Sequence, residues 1–142
     1  MTTYTCSPGG VNSAISLNRL IMNIVEDTFP VAALHHTRVV NEVSKNLLLG
    51  AGADQLKDVF EELLLAVIQQ SREGDIHITA ERFKDTVLVY IQERNNYNGY
   101  ALSFSVGSVS QDAARLGGHI SIDGATRKQA TISFSFPVHF AA

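Results

Sequence analysis

Histidines, a cysteine and a cluster of serines are the side chains of this chain that could carry acid–base, nucleophilic or metal chemistry by type alone. His77, His119 and His139 stand singly in stretches that read as strands. A lone histidine there is a surface or satisfied residue before it is a ligand. His35 and His36 are adjacent and precede a β-rich segment, which makes them loop histidines. Ser103, Ser105, Ser108 and Ser110 have no neighbouring His or Asp pattern able to take a hydroxyl proton, so no hydrolase triad is indicated. Cys6 is the single cysteine, and no Cys/His spacing suits zinc. Glu61 and Glu62 lie side by side in a helical pattern, where a carboxylate is exposed or partly exposed to solvent.

The elements that must position these groups follow from periodicity. Residues 1–10 carry Thr, Ser, Pro and Gly without a period and are expected to be an irregular terminus, with one domain over residues 11–142. Ala14, Ile15, Leu17, Leu20, Ile21, Ile24 and Val25 recur at helical spacing, with Asn12 or Ser13 as N-cap and Pro30 as a stop. Thr37 to Val43 predicts a short strand. Asp54 caps a second helix whose Leu56, Val59, Phe60, Leu63, Leu64, Val67 and Ile68 cover more than one face, so it should be largely buried. Asp75 to Ala80 and Thr86 to Gln92 read as neighbouring strands. Ala101 to Leu116 reads as a third helix ended by Gly117 and Gly118, followed by strands at His119 to Asp123 and Ala130 to Pro137. This order implies an α/β two-layer sandwich, with helices gathered on one face of one sheet.

Composition narrows the function. The chain has 142 residues, about one domain's worth. Hydrophobic residues make up 45% and charged residues 18%, below the usual ~25%, so a core can form without disulfides or a structural metal. Eleven basic against 14 acidic residues leave a formal charge of −3 with no Lys/Arg run, which argues against nucleic-acid binding. The apolar stretch Leu63 to Ile68 is far short of the ~20 residues of a bilayer span, and no secretion signal is visible, so a cytoplasmic protein away from membranes is expected.

From Val11 to Pro137 the pattern resembles the ATP-binding domain of bacterial histidine kinases, a fold shared with gyrase, mismatch-repair ATPases and anti-sigma-factor kinases. Val11 to Asp27 resembles the opening amphipathic helix, and Asp54 to Ser71 resembles the N-box helix. Arg115-Leu-Gly-Gly-His-Ile-Ser-Ile122 is similar to the Gly-Gly turn into a strand, and Thr131 to Pro137 to the closing strand. The resemblance implies a mixed sheet of about five strands with three helices on one face.

Residue by residue, the resemblance also implies a degenerate nucleotide pocket. The N-box asparagine that would hold Mg²⁺ is Ala66, whose methyl group cannot coordinate a hard cation. Glu62, one turn earlier, stands where gyrase-type members place a water-activating glutamate. The Asp-x-Gly box corresponds to Glu93-Arg94-Asn95, one methylene longer at the carboxylate and bulkier at the glycine. Ser103-Phe-Ser105-Val106 replaces the phosphate-cradling glycine motif after a short lid segment, and no basic residue occurs from Asn95 to Ala114. The expectation is therefore a catalytically silent histidine-kinase-like module, a pseudokinase, that has weak or no ATP binding and no metal. Its partner would be a signalling protein such as a receiver domain or kinase, or another copy of itself. The alternative is a divergent kinase of the histidine-kinase or anti-sigma-factor type that still binds ATP and Mg²⁺.

Overall fold

The structure is a computed structural model, and it describes residues 15–50, 54–71, 73–94, 107, 109–123 and 130–138. Two helices, α1 (Leu17–Leu34) and α2 (Asp54–Gln69), and a third, α3, described at residues 107 and 109–115, pack on a five-stranded mixed sheet. Its strands are β2 (Arg38–Asn41), β4 (Asp75–Phe83), β5 (Thr86–Glu93), β6 (His119–Asp123) and β7 (Ala130–Pro137). They lie in the order β2-β4-β5-β7-β6. Among the described strands of this sheet only the β2–β4 pair is parallel, because α2 carries the chain between those two strands; the other pairs are antiparallel. The two-layer α/β fold with helices against one sheet is thus as the sequence predicts. A two-stranded ribbon, β1 (Ile15–Ser16) with β3 (Leu48–Leu49), was not predicted; runs of two residues carry no readable period.

The core lies between the helices and one face of the sheet. Strand alternation puts Ile76 and Ile78 of β4, Val87, Val89 and Ile91 of β5, and Ile132, Phe134 and Phe136 of β7 on that face, all buried. From α2, Leu56, Val59, Phe60, Leu63, Leu64, Val67 and Ile68 pack against it, as their spacing predicts. Phe60 meets Phe134 edge-on with ring centroids 5.1 Å apart and Phe136 at 5.9 Å, a geometry that the ring quadrupoles favour. At the end of α3, Gly117 has φ 76°. Gly118 is required by close approach, since a Cβ there would come 2.7 Å from the Phe134 ring and 2.8 Å from the Ser135 carbonyl oxygen.

Helix α1 differs from its expected bounds at both ends. It begins at Leu17, with Ser16 rather than Asn12 or Ser13 as N-cap, because Ile15 and Ser16 are extended in the ribbon with β3. It also runs through Pro30 to Leu34. A proline in a helix interior removes one hydrogen bond and costs about 3 kcal/mol. Here the lost bond falls on the exposed side, where solvent is available, while Ala32 extends the buried stripe past it. The sheet strand after α1 spans four residues rather than Thr37 to Val43. Asn41 instead folds its side chain onto the backbone, accepting from Val43 N at 3.1 Å and donating to the Asn18 carbonyl at 3.0 Å. Among the described residues, no helix is long and apolar enough to cross a membrane.

Candidate functional site

The alternation that buries Val87, Val89 and Ile91 continues to Glu93, the last residue of β5, which is 1% exposed. Its carboxylate ends among the C-terminal end of α2 and the start of β4. Oε1 accepts the Asp75 amide at 3.0 Å, and Oε2 lies against the Ser71 hydroxyl. Ser71 Oγ is also 2.8 Å from the Val67 carbonyl oxygen, so its one proton serves either acceptor. Gly74 makes room for this carboxylate: a Cβ there would fall 2.5 Å from Oε2.

The surrounding backbone closes the same knot. His35 Nδ1 lies 3.0 Å from the Ser71 carbonyl oxygen, and Glu73 N donates to His35 O at 2.9 Å. Gly74 N donates to Thr37 Oγ1 at 3.2 Å, and Arg38 N to Gly74 O at 3.0 Å. Three elements thus converge on Glu93, and His36 and Glu73, both with φ near the left-handed region at 52° and 53°, make the turns that allow it. His35 therefore caps α1, and His36 is exposed in the turn that follows.

Glu62 and Ala66 lie one turn apart on α2, but their surroundings differ. Ala66 is buried and Glu62 is exposed. Partial loss of water raises the Glu62 carboxyl above its ordinary value. The negative charge of Asp112 on α3, a hydrogen bond with it, and the charge of Asp58 push in the same direction. Asp112 pairs with Arg115 Nη1 at 3.1 Å, one turn further along α3. The remaining candidates, Asn95, Ser103 and Ser105, lie outside the described residues, as do the lid segment and His139.

A second polar cluster occupies the sheet face turned away from the helices. His77 sits there between Ile76 and Ile78 and is 8% exposed. Its Nδ1 is 3.1 Å from Glu42 Oε1, and its Nε2 is 3.0 Å from Asp75 Oδ1. Each ring nitrogen thus faces a carboxylate oxygen. Asp75 Oδ1 also accepts from Arg38 Nε at 3.1 Å and Nη2 at 3.0 Å. Desolvation pushes the Asp75 carboxyl up, but the hydrogen bonds and positive charges of Arg38 and His77 outweigh it and hold the group below its ordinary value. The cluster cross-links the edge strand β2 to β4. Periodicity could not find it, because its members come from positions about 35 residues apart that only the parallel pairing joins.

No family model and no curated protein matches the sequence. Among solved structures, the histidine kinase AdeS of Acinetobacter baumannii superposes with a TM-score of 0.74 at 10% identity, over 89% of this chain and 66% of that one. The catalytic domain of histidine kinase ThkA in a nucleotide-free form gives 0.68 at 18% identity, over 89% and 95%. A mycobacterial sensor histidine kinase, MprB, gives 0.65 at 12%, over 89% and 97%. The chain spans just under two thirds of the AdeS chain and about the whole of the isolated catalytic domains. By these superpositions, this chain has the fold of a histidine-kinase catalytic domain.

Proposed function

We propose that the chain is a histidine-kinase-like module that acts through protein contacts in two-component signalling and binds ATP weakly or not at all. The observation that carries this reading is the use made of Glu93. Its position corresponds, by the resemblance, to the carboxylate that reads adenine, yet here it is buried and both of its oxygens meet groups of the chain itself, Ser71 and the Asp75 amide. Ala66 adds to it, offering a buried methyl group where a Mg²⁺ ligand would stand. At these two positions the residues present do not fit a magnesium nucleotide.

A signalling partner is supported by the solved complex of histidine kinase ThkA with the response regulator protein TrrA, whose kinase chain shares this fold at 18% identity over 41% of its length. A receiver domain is accordingly the partner class of this reading. Calorimetric titration of the chain with ATP and Mg²⁺ tests it. Millimolar binding or none is expected, since each lost charge-assisted contact contributes ~1.5–3 kcal/mol and two or three together weaken affinity by several powers of ten. Ala66→Asn alone should not restore binding, because Glu93 remains engaged. Micromolar, Mg²⁺-dependent binding by the unmodified chain would overturn the reading and favour the divergent kinase.

A further inference from the structure

Of the five large hydrophobic side chains exposed among the described residues, three lie on α1: Met22 at 45%, Phe29 at 65% and Leu34 at 80%. A fourth, Leu48, pairs with Ser16 in the ribbon at the start of that helix. On the same helix Arg19, Met22, Asn23 and Glu26 follow at the spacing of one face and are all exposed. Together with Ser16, Asn18 and Lys45 they line an open groove of about 460 Å³. Arg19, Glu26 and Lys45 form no ion pair among the described residues, whereas the neighbouring Asp27 turns to α2 and meets Lys57 Nζ at 3.6 Å.

The arrangement of charge along this face is self-complementary. Arg19 and Glu26 stand on either side of Met22 and Asn23, equally far from the point between them, about 10 Å apart along the axis at 1.5 Å per residue. A two-fold axis through that point brings a second helix across antiparallel. It sets each Arg19 against the other copy's Glu26 and buries the two Met22 side chains at the crossing, as an isologous interface requires. We propose that this face of α1 is a homodimer interface, occupied by a second copy of this chain. The inference does not rest on the nucleotide reading and survives its failure.

Sedimentation equilibrium of the full chain up to about 1 mM tests it. A dimer is expected, weaker at high salt because the charged pairs lie at the rim. Arg19→Glu and Glu26→Arg should each raise the dissociation constant at least about tenfold, because each places like charges opposite one another twice. Both sites are exposed, so the variants should keep the native circular dichroism. An equimolar mixture of the two variants sets an acidic face against a basic one and should dimerise again. A wild-type chain that stays monomeric over the whole range, or a mixture that associates no better than either variant alone, overturns the proposal.

Discussion

Carboxylates gather in two regions of the molecule, and their surroundings are opposite. Around the start of β4, three of them have donors. Glu93 has Ser71 and the Asp75 amide, Asp75 has Arg38 and His77, and Glu42 has the other nitrogen of His77. Between α2 and α3, Glu62 faces Asp112 with Asp58 behind it, and the cation Arg115 contacts Asp112 rather than Glu62. The first arrangement holds Asp75 below its ordinary range; the second lifts Glu62 above it. Interleaving donors with acids turns a set of carboxylates into a brace, whereas stacking acids on facing helices is tolerated only because water still reaches them.

The sharpest way to break that contrast is to remove the buried acid. Glu93→Ala leaves the Asp75 amide without its side-chain acceptor and opens space beside Gly74. An unsatisfied buried group costs about 1–3 kcal/mol and the cavity adds to it, so a loss of about 3 kcal/mol is expected. Glu93→Gln keeps an oxygen for the amide and a donor for Ser71 Oγ, and should lose only about 1 kcal/mol. Urea unfolding midpoints at unchanged slope measure both. Equal and negligible losses would mean that Glu93 is not a structural member of the knot.

His77→Ala comes next. It removes the donor shared by Glu42 and Asp75, but the side chains of both carboxylates keep partial access to water at 43% and 32% exposure. The expected loss is therefore about 1–2 kcal/mol. The substitution also moves the acid limb of stability. A carboxyl held low in the folded state contributes stability that is complete above its unfolded value, 3.8 for Asp75, and is lost as pH falls through the lower folded value. Without His77 the Asp75 carboxyl rises toward 3.8 and this contribution shrinks. Unfolding midpoints across the acid range should show the gap between wild type and variant widest above pH 3.8 and closing below it. A gap that does not change with acidity would assign the loss to packing alone.

How much of this was legible in the sequence depended on the range of the interaction. Helix α2 and the strands β5 and β7 could be read because each buries a periodic set of side chains, and burial itself makes the period; β4 runs on to Phe83, past its expected end at Ala80, because Glu81, Arg82 and Phe83 are exposed and carry no period. Glu93 was readable in part: it continues Val87, Val89 and Ile91 at period two, which places it inside, but its partner Ser71 is 22 residues away and carried no pattern. Pro30 misled because propensity marks it as a stop, whereas the buried face of α1 continues beyond it. The His77 cluster and the Glu62–Asp112 encounter depend on how β2 pairs with β4 and how α3 lies on α2, and no local spacing encodes either.

The smallest effect belongs to Glu62, and it has the opposite sign. Its carboxyl is raised above 4.5 in the folded chain, so the favourable contribution of its protonated form is complete below 4.5 and is lost as pH rises through the higher folded value. At neutral pH the charged Glu62 repels Asp112 and Asp58. Glu62→Gln removes that repulsion while keeping a donor for the Asp112 carboxylate. Because Glu62 is exposed and screened, the gain is expected to be only a few tenths of a kcal/mol at neutral pH. It should vanish below pH 4.5 and shrink in high salt. Asp112→Asn should give a smaller gain, since it also removes the partner of Arg115. Thermal unfolding of both variants at two pH values and two salt concentrations would read these signs. A net loss on Glu62→Gln at neutral pH would mean that the carboxylate meets a cation in solution, and the contrast between the two acidic regions would then fail on the α2 side.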